Sequence, residues 1–171
     1  MGAFDEAVGR LADLAGADPQ FAIADEQERW RLYEESLHHV SRRVLVLEAV
    51  RHDANGLLVS AVVVRALELV PDDQRSRWVE IVPDGKQRDF AARRARELGL
   101  VEQLAGESGK QVRESDVRAW SPWLQLRVAG QVTNTAVLAL LTEHGATRRI
   151  RNLAQHRLGS PGSSSGSGTR S

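Results

Sequence analysis

Cysteine is absent from the sequence, which excludes disulfides and thiolate metal sites and is neutral as to redox compartment. Long apolar runs are absent too: no window approaches the roughly 18 uninterrupted apolar residues that a membrane span needs. Met1 to Leu14 interrupts its apolar residues with Asp5, Glu6, Arg10 and Asp13, so it lacks the apolar core of a signal peptide. A cytoplasmic location with no membrane attachment is the expectation. Lysine is scarce, with Lys86 and Lys110 the only two among 23 basic residues. Because the arginine preference runs through the whole chain, it reads as the bias of a GC-rich, bacterial genome rather than as phosphate binding. Acidic residues are missing from one end. His144 to Ser171 contains Arg148, Arg149, Arg151, Arg157 and Arg170 but no Asp or Glu, whereas residues 1–36 hold nine carboxylates against three arginines. The net charge of zero therefore conceals an acidic start and a basic end.

What is present is ordinary globular material. Hydrophobic residues make up 42% and charged residues 27% of 171 positions, enough to bury a core. The clearest local pattern runs from Asp25 to His52, where Trp30, Tyr33, Leu37, Val40, Val44 and Leu47 recur at alternating spacings of three and four. That stripe predicts one amphipathic helix. A hairpin beginning at Val44 and turning at Asn55-Gly56 is the competing reading. Phe4, Val8, Leu11 and Ala15 line a first helix ended by Gly16 and Pro19. Leu57 to Val70 is apolar nearly all round and reads as a central helix covered on most sides, although Val62-Val63-Val64 also suits a strand.

Pro71 stops that element, and Asp72-Asp73 opens a short one with Trp78, Ile81 and Val82 facing inward. Lys86 to Leu104 carries Phe90, Ala91, Ala95, Leu98 and Val101 at helical spacing. Gly106 to Gly109 marks a break before a polar helix ending at Trp120. Pro122 after Ser121 occupies a first helical position, Asn134 and Thr147 are candidate N-caps, and Gly145 separates the last two helices. Gly159 to Ser171 is a Gly/Ser-rich tail expected to be disordered. Together these signals predict an all-α fold, a multi-helix bundle or a short α-solenoid of antiparallel helix pairs. Residues 1–158 form one domain in this reading, with 1–20 a loosely attached first helix.

The stretch Ser121-Pro122-Trp123-Leu124-Gln125-Leu126-Arg127 through Arg148-Arg149-Ile150-Arg151-Asn152, paired helices with proline or Asp/Asn at the joints, resembles HEAT-like α-helical repeats. The resemblance covers residues 40–158 and has no clean period. It implies a scaffold or partner-binding surface and transfers no functional residue.

Catalytic patterns are weak. Glu35 and His38 form a Glu-x-x-His, half of a di-iron carboxylate motif, but lie off the apolar stripe and have no second copy. Glu48 and His52 read as an exposed ion pair. Pro71-Asp72 with Asp84-Gly85-Lys86 matches a nuclease pattern that needs a strand between its carboxylates. No nucleophile elbow or phosphate loop occurs. No cofactor is expected.

Two features suggest binding. Trp120 and Trp123, beside Arg118 and Arg127, would form an aromatic contact if exposed, with core packing the plainer reading. Residues 134–158 are laid out as helix, glycine turn and basic helix, the layout of a helix-turn-helix DNA reader. In it Arg148, Arg149, Arg151 and Arg157 are the candidate contacts. Leu141 stands where that motif prefers alanine, and Arg151 where it buries an aliphatic residue. The expectation is therefore a non-enzymatic adaptor module with a protein partner, and the alternative is a DNA-binding protein using 134–158.

Overall fold

The computed structural model describes residues 2–106 and 111–159; the expected tail beyond Gly159 lies outside them. The fold is all-α, with eleven α-helices and no strand among the described residues. They are α1 (Ala3–Ala15), α2 (Pro19–Ala24), α3 (Glu26–Leu37), α4 (Arg43–His52), α5 (Gly56–Leu67), α6 (Asp72–Glu80), α7 (Lys86–Ala105), α8 (Glu114–Ala119), α9 (Pro122–Gln131), α10 (Thr135–His144) and α11 (Arg148–Gly159). None is long and apolar enough to cross a membrane. Where the sequence reading treats 1–158 as one domain, the chain groups into two compact units, Met1–Leu98 and Gly99–Ser171, divided within α7.

Helix starts follow the side-chain chemistry. Asp25 accepts from the Gln27 and Glu28 amides at 2.8 and 3.0 Å, Asn55 from Leu57 and Leu58, Ser121 from Leu124 and Asn134 from Ala136 and Val137. Thr147 accepts from Ile150. Each cap satisfies amides that a helix N-terminus leaves without intrahelical acceptors. Gly16 ends α1 in the left-handed region at φ 71°, where glycine carries no Cβ penalty.

In the first unit, Val8, Leu11, Tyr33, Leu37, Val46, Val50, Val62, Val63 and Trp78 belong to one buried cluster. Here the structure corrects four expectations. Helix α1 is anchored rather than loose, since Ala7, Val8, Leu11 and Ala12 are all buried. The single helix of 25–52 is two helices joined by a 3-10 turn at Val40–Arg42. His39, extended at φ −100° and ψ 110°, makes the break, while His38 before it and Arg42 three residues on keep right-handed helical dihedrals. Without glycine or proline at the break, the stripe's spacing passes over it. Val40 and Val44 end 73% and 72% exposed, and α4 buries Val46, Ala49 and Val50 instead. Glu48 pairs with Arg10 at 2.7 Å rather than with His52.

The remaining corrections concern coverage. Helix α5 buries Leu58, Val59, Val62, Val63, Ala66 and Leu67 but leaves Leu57 74% exposed. Phe90 stands at the surface instead of inward, with the Arg93 and Arg94 guanidiniums 5.5 and 5.2 Å from its ring centroid. Residues 44–82 contain no strand, so the sheet required by the nuclease pattern is missing. Asp72 and Asp84 bond instead to Arg75 and Arg88. Glu35 and His38 are both exposed.

The second unit packs Val101, Val117, Leu124, Val128, Val132, Leu138, Leu141, Ile150 and Ala154. Gln125 ties it together from within. Its amide nitrogen donates to the Val117 and Trp120 carbonyls at the end of α8, at 2.8 and 3.2 Å. Its oxygen accepts from the Ala146 amide at 2.7 Å, in the turn between α10 and α11.

Candidate functional site

The four arginines singled out in the sequence divide into two pairs. Arg151 donates to the Gly145 carbonyl at 2.6 Å. Arg157 donates to the Ala129, Gly130 and Val132 carbonyls at the end of α9. Both are helix C-caps, filling carbonyls that have no intrahelical donor. Arg148 and Arg149 are exposed on the first turn of α11. A cation there opposes the macrodipole, so helix stability does not explain this second pair.

The two tryptophans are half-buried against the second unit's core. Trp120 ends α8. Trp123 lies on the first turn of α9, its ring covered by the Arg127 guanidinium at 5.1 Å from the centroid. Arg118 is paired with Glu114 at 2.7 Å. The aromatic and basic groups of this region are thus engaged largely with their own unit.

A polar hub lies in the first unit, where no sequence motif marks it. The buried Arg29 donates through Nε to Asp53 at 2.8 Å and through its terminal nitrogen to the Ala22 and Ile23 carbonyls. The Tyr33 hydroxyl donates to the same Asp53 oxygen at 3.3 Å. Burial pushes the Tyr33 hydroxyl pKa far above the ordinary tyrosine value; the Asp53 charge and hydrogen bond push the same way, and Arg29 partly opposes them. With its carboxylate holding α3 to the segment after α4, the hub is a structural tie rather than an open reaction site.

One uncovered apolar feature is the outer face of α5. Leu57, Ala61 and Val64 lie along it at spacings of four and three. Between α5 and α3 runs a groove lined by Glu26, Gln27, Trp30, Leu57, Leu58 and Ala61. Between α5 and α7 runs another lined by Ser60, Ala61, Val64, Lys86, Gln87 and Phe90. Ala61 is common to both, so the two grooves flank the same exposed stretch of α5. Periodicity reported α5 as apolar all round and left open which side its neighbours cover. Compared with family models, curated proteins and solved structures, the chain matches none, so residue roles rest on its own geometry.

Proposed function

We propose that this chain is a non-catalytic helical interaction module, working in the cytoplasm, whose contact surface is the α3–α5–α7 face of its first unit. The observation that carries this reading is the exposure of Leu57 at 74% beside Ala61 and Val64 on a helix whose opposite face is buried. Burying a side chain of this size on association is worth about 1.5–3 kcal/mol, and a rim of polar residues around an apolar centre is how recognition surfaces are built. Arg151 and Arg157 serve as caps, which shifts weight away from the basic helix as the main contact.

The test compares association of the unchanged chain, Ala61→Glu and an Arg148→Ser/Arg149→Ser double variant by crosslinking and co-purification. Loss of association in Ala61→Glu alone supports the reading. Loss in the arginine variant alone moves the contact to α11, and no change in either removes the proposal.

DNA binding through 134–158 is kept as a second reading because Arg148 and Arg149 are exposed at the N-terminus of α11, where their charge contributes nothing to helix stability.

A further inference from the structure

A further groove lies on the other flank of α3, against α2. On the α3 side it is lined by Glu28, Arg31, Leu32 and Glu35, which follow one side of the helix for about 10 Å. On the α2 side stand the cap Asp18, Phe21 and Ala22. Ala22 and Leu32 are buried and make the floor, whereas Phe21 is 66% exposed. The volume of about 510 Å³ is in the range of pockets that enclose a ligand. No lining residue is shared with the α5 grooves.

Two groups in this groove are left without the partners that their kind has elsewhere in the chain. The first is the Phe21 ring. Arg29 lies over Phe4 at 5.4 Å, Arg93 and Arg94 over Phe90, and Arg127 over Trp123. Phe21 is the most exposed of the three phenylalanines, yet no guanidinium covers it among the described residues. The second is negative charge. All three arginines of residues 1–36 are committed to ion pairs, Arg10 with Glu48, Arg29 with Asp53 and Arg31 with Glu28. Asp18 and Glu35 line the groove with no cation paired to either among the described residues. The lining thus holds three carboxylates against one guanidinium.

We infer that the α2–α3 groove receives an arginine of a partner protein, presented on a basic amphipathic segment. The guanidinium face stacks on the Phe21 ring and its N–H groups donate to the rim carboxylates of Asp18 and Glu35. An apolar neighbour on the same segment covers Ala22 and Leu32. Arginine suits this place better than lysine, because its planar fork bonds carboxylates in pairs and also stacks on aromatic rings. The same acidic lining repels nucleic acid and anionic membranes. The groove gives the chain a second contact surface, distinct from the α5 face.

The test is fluorescence anisotropy of a labelled amphipathic peptide of leucine and arginine at helical spacing, titrated with the full chain. The same peptide with lysine or with glutamate in place of arginine serves for comparison, and circular dichroism confirms that each variant is folded. The arginine peptide should bind, the lysine peptide about threefold more weakly, and the glutamate peptide not at all. Glu35→Lys should raise the Kd by about tenfold, whereas Glu80→Lys, the same charge change outside the groove, should leave it within about twofold. Phe21→Leu keeps an apolar side chain but removes the ring, and should abolish the preference for arginine over lysine. No binding of the arginine peptide up to about 1 mM protein overturns the inference, as do equal losses in Glu35→Lys and Glu80→Lys. An arginine preference that survives Phe21→Leu overturns it too. Loss in Ala61→Glu with Glu35→Lys unaffected moves the peptide to the α5 face and overturns the α2–α3 assignment alone. Self-association of the chain in sedimentation velocity that Glu35→Lys abolishes replaces the partner protein by a second copy.

Discussion

At the scale of single residues, chemistry that looks functional in the sequence is often consumed by the fold. Gly145 shows how tightly one position can be held. A Cβ there would meet the Leu141 carbonyl oxygen at 2.5 Å and the Ile150 and Arg151 side chains at 3.0 Å. Its φ of −59° suits any residue, so close approach rather than dihedral preference demands glycine. Gly145→Ala should lower stability by about 1–3 kcal/mol, read by urea denaturation; an unchanged midpoint would show that the α10–α11 turn can widen. Tyr33 makes a second prediction. Its folded-state pKa is raised, so its contribution to stability is intact below the unfolded value of about 10 and is lost as pH rises from there toward the folded value. Tyr33 is the only tyrosine, so tyrosinate absorbance reports it alone. The band should appear with unfolding rather than before it, and Tyr33→Phe should flatten the alkaline loss of stability. A band that grows in the intact fold near pH 10 would contradict the buried hub.

Element ends give the arginines their main use. Arg29 bonds to the Ile23 carbonyl, Arg43 to Leu37, Arg88 to Val82 and Arg151 to Gly145, each six residues back. Arg75 does the same for Leu67 from eight residues away. In every case an arginine on the following helix, at or near its start, fills a carbonyl at or just beyond the end of the preceding one, joining successive helices by a charge-assisted bond. The arginine preference of the chain therefore has a structural use that composition does not reveal. Arg151→Ser/Arg157→Ser should cost about 1.5–3 kcal/mol per arginine removed, whereas Arg148→Ser/Arg149→Ser should stay within about 0.5 kcal/mol of the original. Equal losses in thermal denaturation would refute the division into capping and free arginines. Helix identity and the caps at Asn134 and Thr147 were legible because they depend on local hydrogen bonding. The break at His39 was not, because no glycine or proline marks it.

For the whole molecule, charge separation along the chain is plain in the sequence, yet its meaning depends on which charges remain exposed. If the second reading holds, fluorescence anisotropy of a duplex should show binding that weakens steeply with salt and is lost in Arg148→Ser/Arg149→Ser. Under the favoured reading neither salt condition gives binding. Removing Arg151 and Arg157 as well would confuse lost contact with lost stability, so those two are left intact. The all-α class, the helix starts and the absence of an apolar segment long enough for a membrane span follow from the sequence alone, since they rest on local periodicity, capping and run length. Tertiary structure alone decided which face of α5 stays uncovered, which arginines become caps, and that Arg29, Tyr33 and Asp53 meet. Those outcomes depend on contacts between residues far apart in the chain, and the spacing of residues along one helix does not specify what packs against its other side.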